Sequence, residues 1–122
     1  MRRLVAALAS ALLTAALLAG CGSSSSSGDP AGPLPTKVID VTFSGVSVNP
    51  NGELIKVGVD QRIELDITAD APGEIHVHSS PEQEFEYVKG SSTITVAPIT
   101  APGRVEVESH TLGKTLFTLQ AQ

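Results

Sequence analysis

From Lys37 onward, apolar and polar positions alternate with a period of two. Ile39, Val41 and Phe43 interleave with Asp40 and Thr42, and Ile55, Val57 and Val59 with Lys56 and Gly58. Ile63, Leu65 and Ile67 interleave with Glu64 and Asp66. Successive side chains of a strand point to opposite faces, so this alternation marks half-buried strands. Further strands are predicted over 75–77, 85–88, 93–96, 105–107 and 116–120. Turn chemistry separates them at Pro50-Asn51-Gly52, Asp60-Gln61, Pro72-Gly73, Lys89-Gly90, Pro102-Gly103 and Leu112-Gly113. No stripe of period 3.6 is long enough for a helix. Ser80-Pro81-Glu82-Gln83 offers a serine cap and a proline at the first helical position, which predicts a single helical turn.

Seven or eight short strands with Pro/Gly turns predict an all-β sandwich of two sheets. Aliphatic side chains must supply nearly all of its core. The chain has three phenylalanines, one tyrosine and no tryptophan, which excludes an extended aromatic platform for stacking bases. "APGEIHVHSS" at 71–80 and "APGRVEVESH" at 101–110 share their spacing, as two strands with the same job would. The echo predicts that Ile75, Val77, Val105 and Val107 face inward. His76, His78, Glu106, Glu108 and His110 then fall on outer faces or at strand ends.

The first 35 residues lack this alternation. Arg2 and Arg3 precede an apolar run from Leu4 to Ala19, and small residues lead to Cys21. A basic start, a short apolar core and a small-residue cleavage region make residues 1–20 a secretory signal peptide. The run is short for a membrane span, and no basic stop-transfer cluster follows it. Leu18-Ala19-Gly20-Cys21 resembles the bacterial lipobox. The resemblance implies cleavage before Cys21, its acylation, and retention of the chain on the extracytoplasmic side of a cell-envelope membrane. Cys21 is the only cysteine, so no intrachain disulfide can form, and a lipidated sulfur is lost to metal or nucleophile chemistry. Residues 21–35, rich in Ser, Gly and Pro, read as a tether. Residues 36–122 suffice for one small domain.

Charge narrows the partners. Taking Arg2 and Arg3 from eight basic residues leaves six against 13 acidic ones, a net charge of −7 beyond the leader. Nucleic acid would be repelled. The expected partners are the lipid bilayer, through Cys21, and a divalent metal ion; nothing identifies a protein partner.

The chemistry that remains is concentrated in histidine. His76 and His78 stand on one face of one strand, with Cβ atoms roughly 6–7 Å apart. That spacing lets two imidazoles close on one ion. His110 follows the 105–109 strand and could approach the same end. Three imidazoles with an open position would suit Cu(II) or Zn(II), and Glu82, Glu84 or Glu86 could add a carboxylate. The competing reading is a solvated polar face, its histidines paired across the sheet with Glu64 and Asp66 or with Glu106 and Glu108. No Ser-His-Asp arrangement, phosphate-binding glycine loop or available thiol supports catalysis, so the chain is read as a non-enzyme.

The stretch "VGVDQRIELDITADAPGEIHVHSS…GSSTITVAPITAPGRVEVESHTLGKTLFTLQ" resembles the core of a cupredoxin-like domain of small bacterial lipoproteins. The resemblance implies a Greek-key β-sandwich and a copper site at one pole. His78 or His76 would stand where the family's early ligand histidine lies, and His110 near its late one. The family's late loop also carries a cysteine before that histidine and a methionine after it. The positions before His110 read Val105-Glu106-Val107-Glu108-Ser109, with no cysteine, Leu112 occupies the approximate place of the methionine, and the only methionine is Met1. A blue-copper centre needs the thiolate, so blue-copper electron transfer is not expected. The expected function is a membrane-anchored envelope lipoprotein that binds copper or another divalent ion through histidines. The alternative is a metal-free β-sandwich that serves as an interaction or accessory module.

Overall fold

The computed structural model describes residues 32–122. The predicted signal peptide, Cys21 and most of the tether lie outside these residues. Nine strands form among the described residues: β1 (Lys37–Ser44), β2 (Ser47–Asn49), β3 (Glu53–Val57), β4 (Ile63–Ala69), β5 (Gly73–Val77), β6 (Gln83–Tyr87), β7 (Gly90–Val96), β8 (Gly103–Ser109) and β9 (Lys114–Ala121). All eight predicted strand segments are present. The ninth, β2, has three residues and pairs with β1 at the edge of its sheet, too short to show a pattern.

The strands make a four-stranded sheet in the order β2-β1-β4-β7 and a five-stranded sheet in the order β3-β9-β8-β5-β6. Most neighbours are antiparallel; β1 runs parallel to β4, and β3 parallel to β9. Alternation dictates the core. Val41, Ile63, Leu65 and Ile67 of the smaller sheet meet Ile75, Val77, Val107, Phe117 and Leu119 of the larger, all at most 1% exposed. Burying each such side chain is worth about 1.5–3 kcal/mol. Phe43 and Tyr87 stack across the two sheets at one pole, their ring centroids 4.6 Å apart.

The predicted helical turn at Ser80–Gln83 is not formed. Only five residues separate Val77 from Gln83, and the two pair directly as β5 turns into β6. Ser79 Oγ donates to the Pro81 carbonyl, and Gln83 Nε2 donates to Ser79 Oγ, so side chains close a turn that has no room for a helix. The 71–80 and 101–110 echo corresponds to β5 and β8, antiparallel neighbours whose residues Val77 and Val107 sit opposite each other. The predicted inward residues Ile75, Val77, Val105 and Val107 are all buried.

At the other pole, residues leading into β1 are held to the β3–β4 turn. Gln61 Nε2 donates to the Pro35 carbonyl, and the Leu34 side chain lies over Gly58 so closely that a Cβ there would collide with it. The chain therefore enters the sandwich at the pole opposite the Phe43–Tyr87 stack.

Candidate metal centre

Because Ile75 and Val77 point into the core, Glu74, His76 and His78 share the outer face of the larger sheet. His78 lies one residue past β5 but stays on β8, its N–H donating to the Glu106 carbonyl. His110 opens the β8–β9 turn, next to Ser109, which sits opposite Ile75. Strand pairing thus brings the three histidines together. The rings of His76 and His78 have centroids 4.2 Å apart, and those of His76 and His110 4.8 Å apart, edge to face.

A chain of alternating contacts runs through them. Glu74 lies 2.9 Å from His110 Nδ1, and His110 Nε2 lies 3.0 Å from His76 Nδ1. His76 Nε2 faces Glu82 at 3.3 Å, Glu82 faces His78 Nδ1 at 3.7 Å, and His78 Nε2 meets Glu108 at 3.0 Å. Bonding to the Glu108 carboxylate raises the His78 pKa, and the same bond lowers that of Glu108. Glu108 also accepts a hydrogen bond from Thr115 Oγ1.

His76 departs from the expectation of a wet strand face. It is 7% exposed, covered by its neighbours. Its Nε2 is fully buried and makes no hydrogen bond, although a Glu82 oxygen lies 3.3 Å away. A buried nitrogen without a partner is costly. The donor atoms of His76, His78 and Glu82 all lie within 4.8 Å of one another. Metal bonds of about 2.0–2.1 Å would draw such atoms to about 3–3.5 Å. Glu82 is long and exposed on a turn, so it can supply that movement. The donor set, two imidazoles and a carboxylate, fits Cu(II) or Zn(II).

His110 touches the opposite nitrogen of His76 and lies outside this three-residue group. Of the acidic run, Glu82 is the member brought in; Glu84 sits opposite His76 in register, yet is exposed and outside the group. Glu64 and Asp66 belong to β4 in the other sheet, so of the four carboxylates expected to pair with histidine, Glu108 is the one that does. The sequence reading did not single out Glu74. Its place two residues before His76, on the same strand face, was the available signal.

Ser109, the residue before His110, is fully buried on the interior side. Its Oγ accepts the Leu112 N–H at 3.3 Å. Burial holds the Tyr87 pKa above its ordinary value, and the nearby Ser109 hydroxyl only partly offsets this. The His76–His78–Glu82 group therefore sits outside the five-stranded sheet, and Ser109 inside the sandwich.

No family model and no curated protein matches the sequence. Solved structures do match in shape. Auracyanin B superposes with a TM-score of 0.54 at 10% identity, covering 75% of this chain and 93% of that one. A copper(I) form of a methionine variant of amicyanin gives 0.53 at 10% identity, covering 70% and 82%. The multicopper oxidase mgLAC gives 0.53 at 16% identity, with 72% of this chain matching 39% of that one. The chain has a cupredoxin-like fold; at these identities the likeness is one of architecture.

Proposed function

We propose that the chain is a non-catalytic envelope lipoprotein, anchored by an acylated Cys21, whose cupredoxin-like domain binds one divalent ion, Cu(II) or Zn(II). His76 Nε2, His78 Nδ1 and a Glu82 oxygen are the ligands. The observation that carries this reading is the buried His76 Nε2, which has no hydrogen-bond partner and lies 3.3 Å from the Glu82 carboxylate that also faces His78 Nδ1. An ion would satisfy it. His110 acts one step back. Glu74 holds a proton on His110 Nδ1, so His110 Nε2 accepts from His76 Nδ1–H, and His76 Nε2 is left with its lone pair free. Metal-binding histidines are commonly oriented by such a partner.

With no cysteine in residues 32–122, the bound ion has nitrogen and oxygen donors only. Blue-copper electron transfer is therefore outside this reading. The cupredoxin-like fold supports the reading as architecture alone.

A metal-free interaction module is the second reading. What favours it is that His78 and His110 each already contact a carboxylate, in Glu108 and Glu74. His76 Nε2 separates the two readings.

Residues 32–122 hold both sheets and the core packed between them, so they serve for the test. Titration with Cu(II) and with Zn(II) is expected to show one ion per chain, without intense blue absorption, and His76→Gln is expected to abolish it. If neither ion binds stoichiometrically, the metal reading is wrong. In the full chain, Cys21→Ala is expected to prevent acylation and leave the sandwich intact; a variant that still carries lipid would remove the anchor assignment.

A further inference from the structure

The wall that His78 shares with its neighbours opens onto a cleft of about 520 Å³. One side is the β5–β6 turn, and the other is the connection from β7 to β8 with the start of β8. The lining is mainly apolar, with Pro81, Ala97, Pro98, Ile99, Pro102 and Val105 supplying most of it. The size falls in the range of small-molecule pockets, about 300–1,000 Å³.

This cleft is held in shape before any ligand arrives. Gln83 ties its two sides, accepting the Ala97 N–H at 2.8 Å through Oε1 and donating to Ser79 Oγ at 2.8 Å through Nε2. Ile99 is pinned from behind, its carbonyl accepting the Asp60 N–H at 2.9 Å. Three prolines in the walls fix φ and reduce what ordering would cost.

Polarity at the rim is uneven. Arg104 is the one Lys or Arg among the lining residues, and it has no ion-pair partner among the described residues, whereas Arg62 is paired with Glu64. Arg104 and Glu106 also line the neighbouring depression, which His78 borders as well. The acidic side chains Glu82, Glu106 and Glu108 around His78 repel an anion. Arg104, and an ion held at His78, are therefore the positive charges that an anion meets at this cleft.

We propose that this cleft binds a small organic carboxylate, its apolar body lying on Ile99, the prolines and Val105, and its carboxylate placed between Arg104 and the metal. The metal contact rests on the function proposed above; the apolar and Arg104 contacts do not. Three protein ligands leave such an ion a free position, and the cleft gives that position a choice of ligand. A small carboxylate with a hydrophobic tail meets all three requirements. A neutral alcohol meets only one, and an alkylammonium is repelled by Arg104 and by the metal.

Octanoate, octanol and octylammonium are the probes, titrated into residues 32–122 with and without Cu(II) and followed by backbone amide NMR and calorimetry. In the copper-free protein, octanoate is expected to shift amides at 79–83 and 97–105 with one site per chain. Arg104→Gln is expected to weaken octanoate roughly tenfold, the worth of one charge-assisted contact, and to leave octanol unchanged. Zn(II) in place of Cu(II) keeps those amides visible and should tighten octanoate alone. Ala101→Trp, an exposed position at the cleft, should block both octanoate and octanol while metal uptake persists.

Absence of those shifts at saturating octanoate, or octanoate affinity unmoved by Arg104→Gln, overturns the proposal. Octanoate affinity indifferent to a bound ion overturns the metal contact. A wild-type protein that takes up neither ion defeats the metal reading by itself; the copper-free titration then still decides the cleft, supporting it if Arg104→Gln weakens octanoate and sinking it otherwise.

Discussion

His76 and His110, 34 positions apart in the chain, meet at 3.0 Å through Nδ1 of the first and Nε2 of the second. One proton occupies that contact, so the state of one ring fixes the state of the other. With Glu74 accepting from His110 Nδ1–H, a neutral His110 would accept at Nε2 from His76 Nδ1–H, as the proposed site requires. Removing His110 would leave His76 free to turn or to change tautomer. His110→Gln is therefore expected to keep one metal ion per chain while lowering affinity about 10- to 100-fold. Loss of stoichiometric binding instead would make His110 a ligand. Nitrogen NMR of the His76 ring offers a second readout, with the proton expected on Nδ1 in the wild type.

The pair His78–Glu108 predicts a pH window for the metal-free protein. The pKa of His78 is raised above 6.5 in the folded state, first of all by its bond to Glu108. Its contribution to stability is complete below 6.5 and is lost as pH rises through the folded value. The pKa of Glu108 is lowered from 4.5, so its contribution is complete above 4.5 and is lost as pH falls through the folded value. The difference in denaturation midpoint between wild type and Glu108→Gln should peak between these pH values and shrink on either side. A difference that grew steadily above neutral pH would contradict the pairing.

Tyr87 makes an alkaline prediction. Its phenol is buried against Phe43 and Ser109, and burial raises its pKa above 10. The unfolded chain then ionises first as pH rises, so folded stability drops above pH 10 until the folded value is passed. Absorbance titration should place the phenolate transition of the native protein above that of the denatured one. Tyr87→Phe should remove this part of the alkaline loss. Coincident native and denatured transitions would show that the phenol is not buried.

Close approach at Gly73 can be tested directly. A Cβ there would fall on the Tyr87 phenol and the Thr111 hydroxyl. Both neighbours are themselves held, Tyr87 by its stack and Thr111 Oγ1 by the Glu74 N–H. Gly73→Ala is expected to destabilise the fold by about 1–3 kcal/mol, as overpacking does. Gly90→Ala, where a Cβ would meet nothing within 4 Å, should act only through its backbone, whose φ is +100°. Equal midpoints for wild type and Gly73→Ala would show that the pole relaxes freely.

Phe117→Ala tests the core itself. Phe117 is fully buried on β9 between the sheets. Its truncation should cost about 3–5 kcal/mol. Val88→Ser, at a residue 63% exposed, should stay within about 0.5 kcal/mol of wild type. Chemical denaturation of the two variants measures the contrast.

The strands were legible because alternation is local: a residue's face in Ile63–Ala69 or Gly73–Val77 follows from its own neighbours. That made Ile75 and Val77 inward and placed His76 and His78 together before any pairing was known. The β5–β6 turn was less legible. A serine and a proline suit the first turn of a helix, but direct pairing of Val77 with Gln83 leaves no length for one. Strand β2 was invisible because three residues cannot show a period.

The sequence by itself determined the inventory: an all-β alternation, one cysteine ahead of the domain, and two histidines sharing a strand face. Only the tertiary structure decided that β5 lies beside β8, which brings His110 and Glu108 to that face, and that the β5–β6 turn brings Glu82 and not Glu84 beside His76 and His78. The reason is physical. Side-chain direction along a strand is set by adjacent peptides, whereas strand neighbours are set by how the whole apolar surface closes into two sheets. Burial of His76 Nε2 depends on that closure, so no local pattern could announce it.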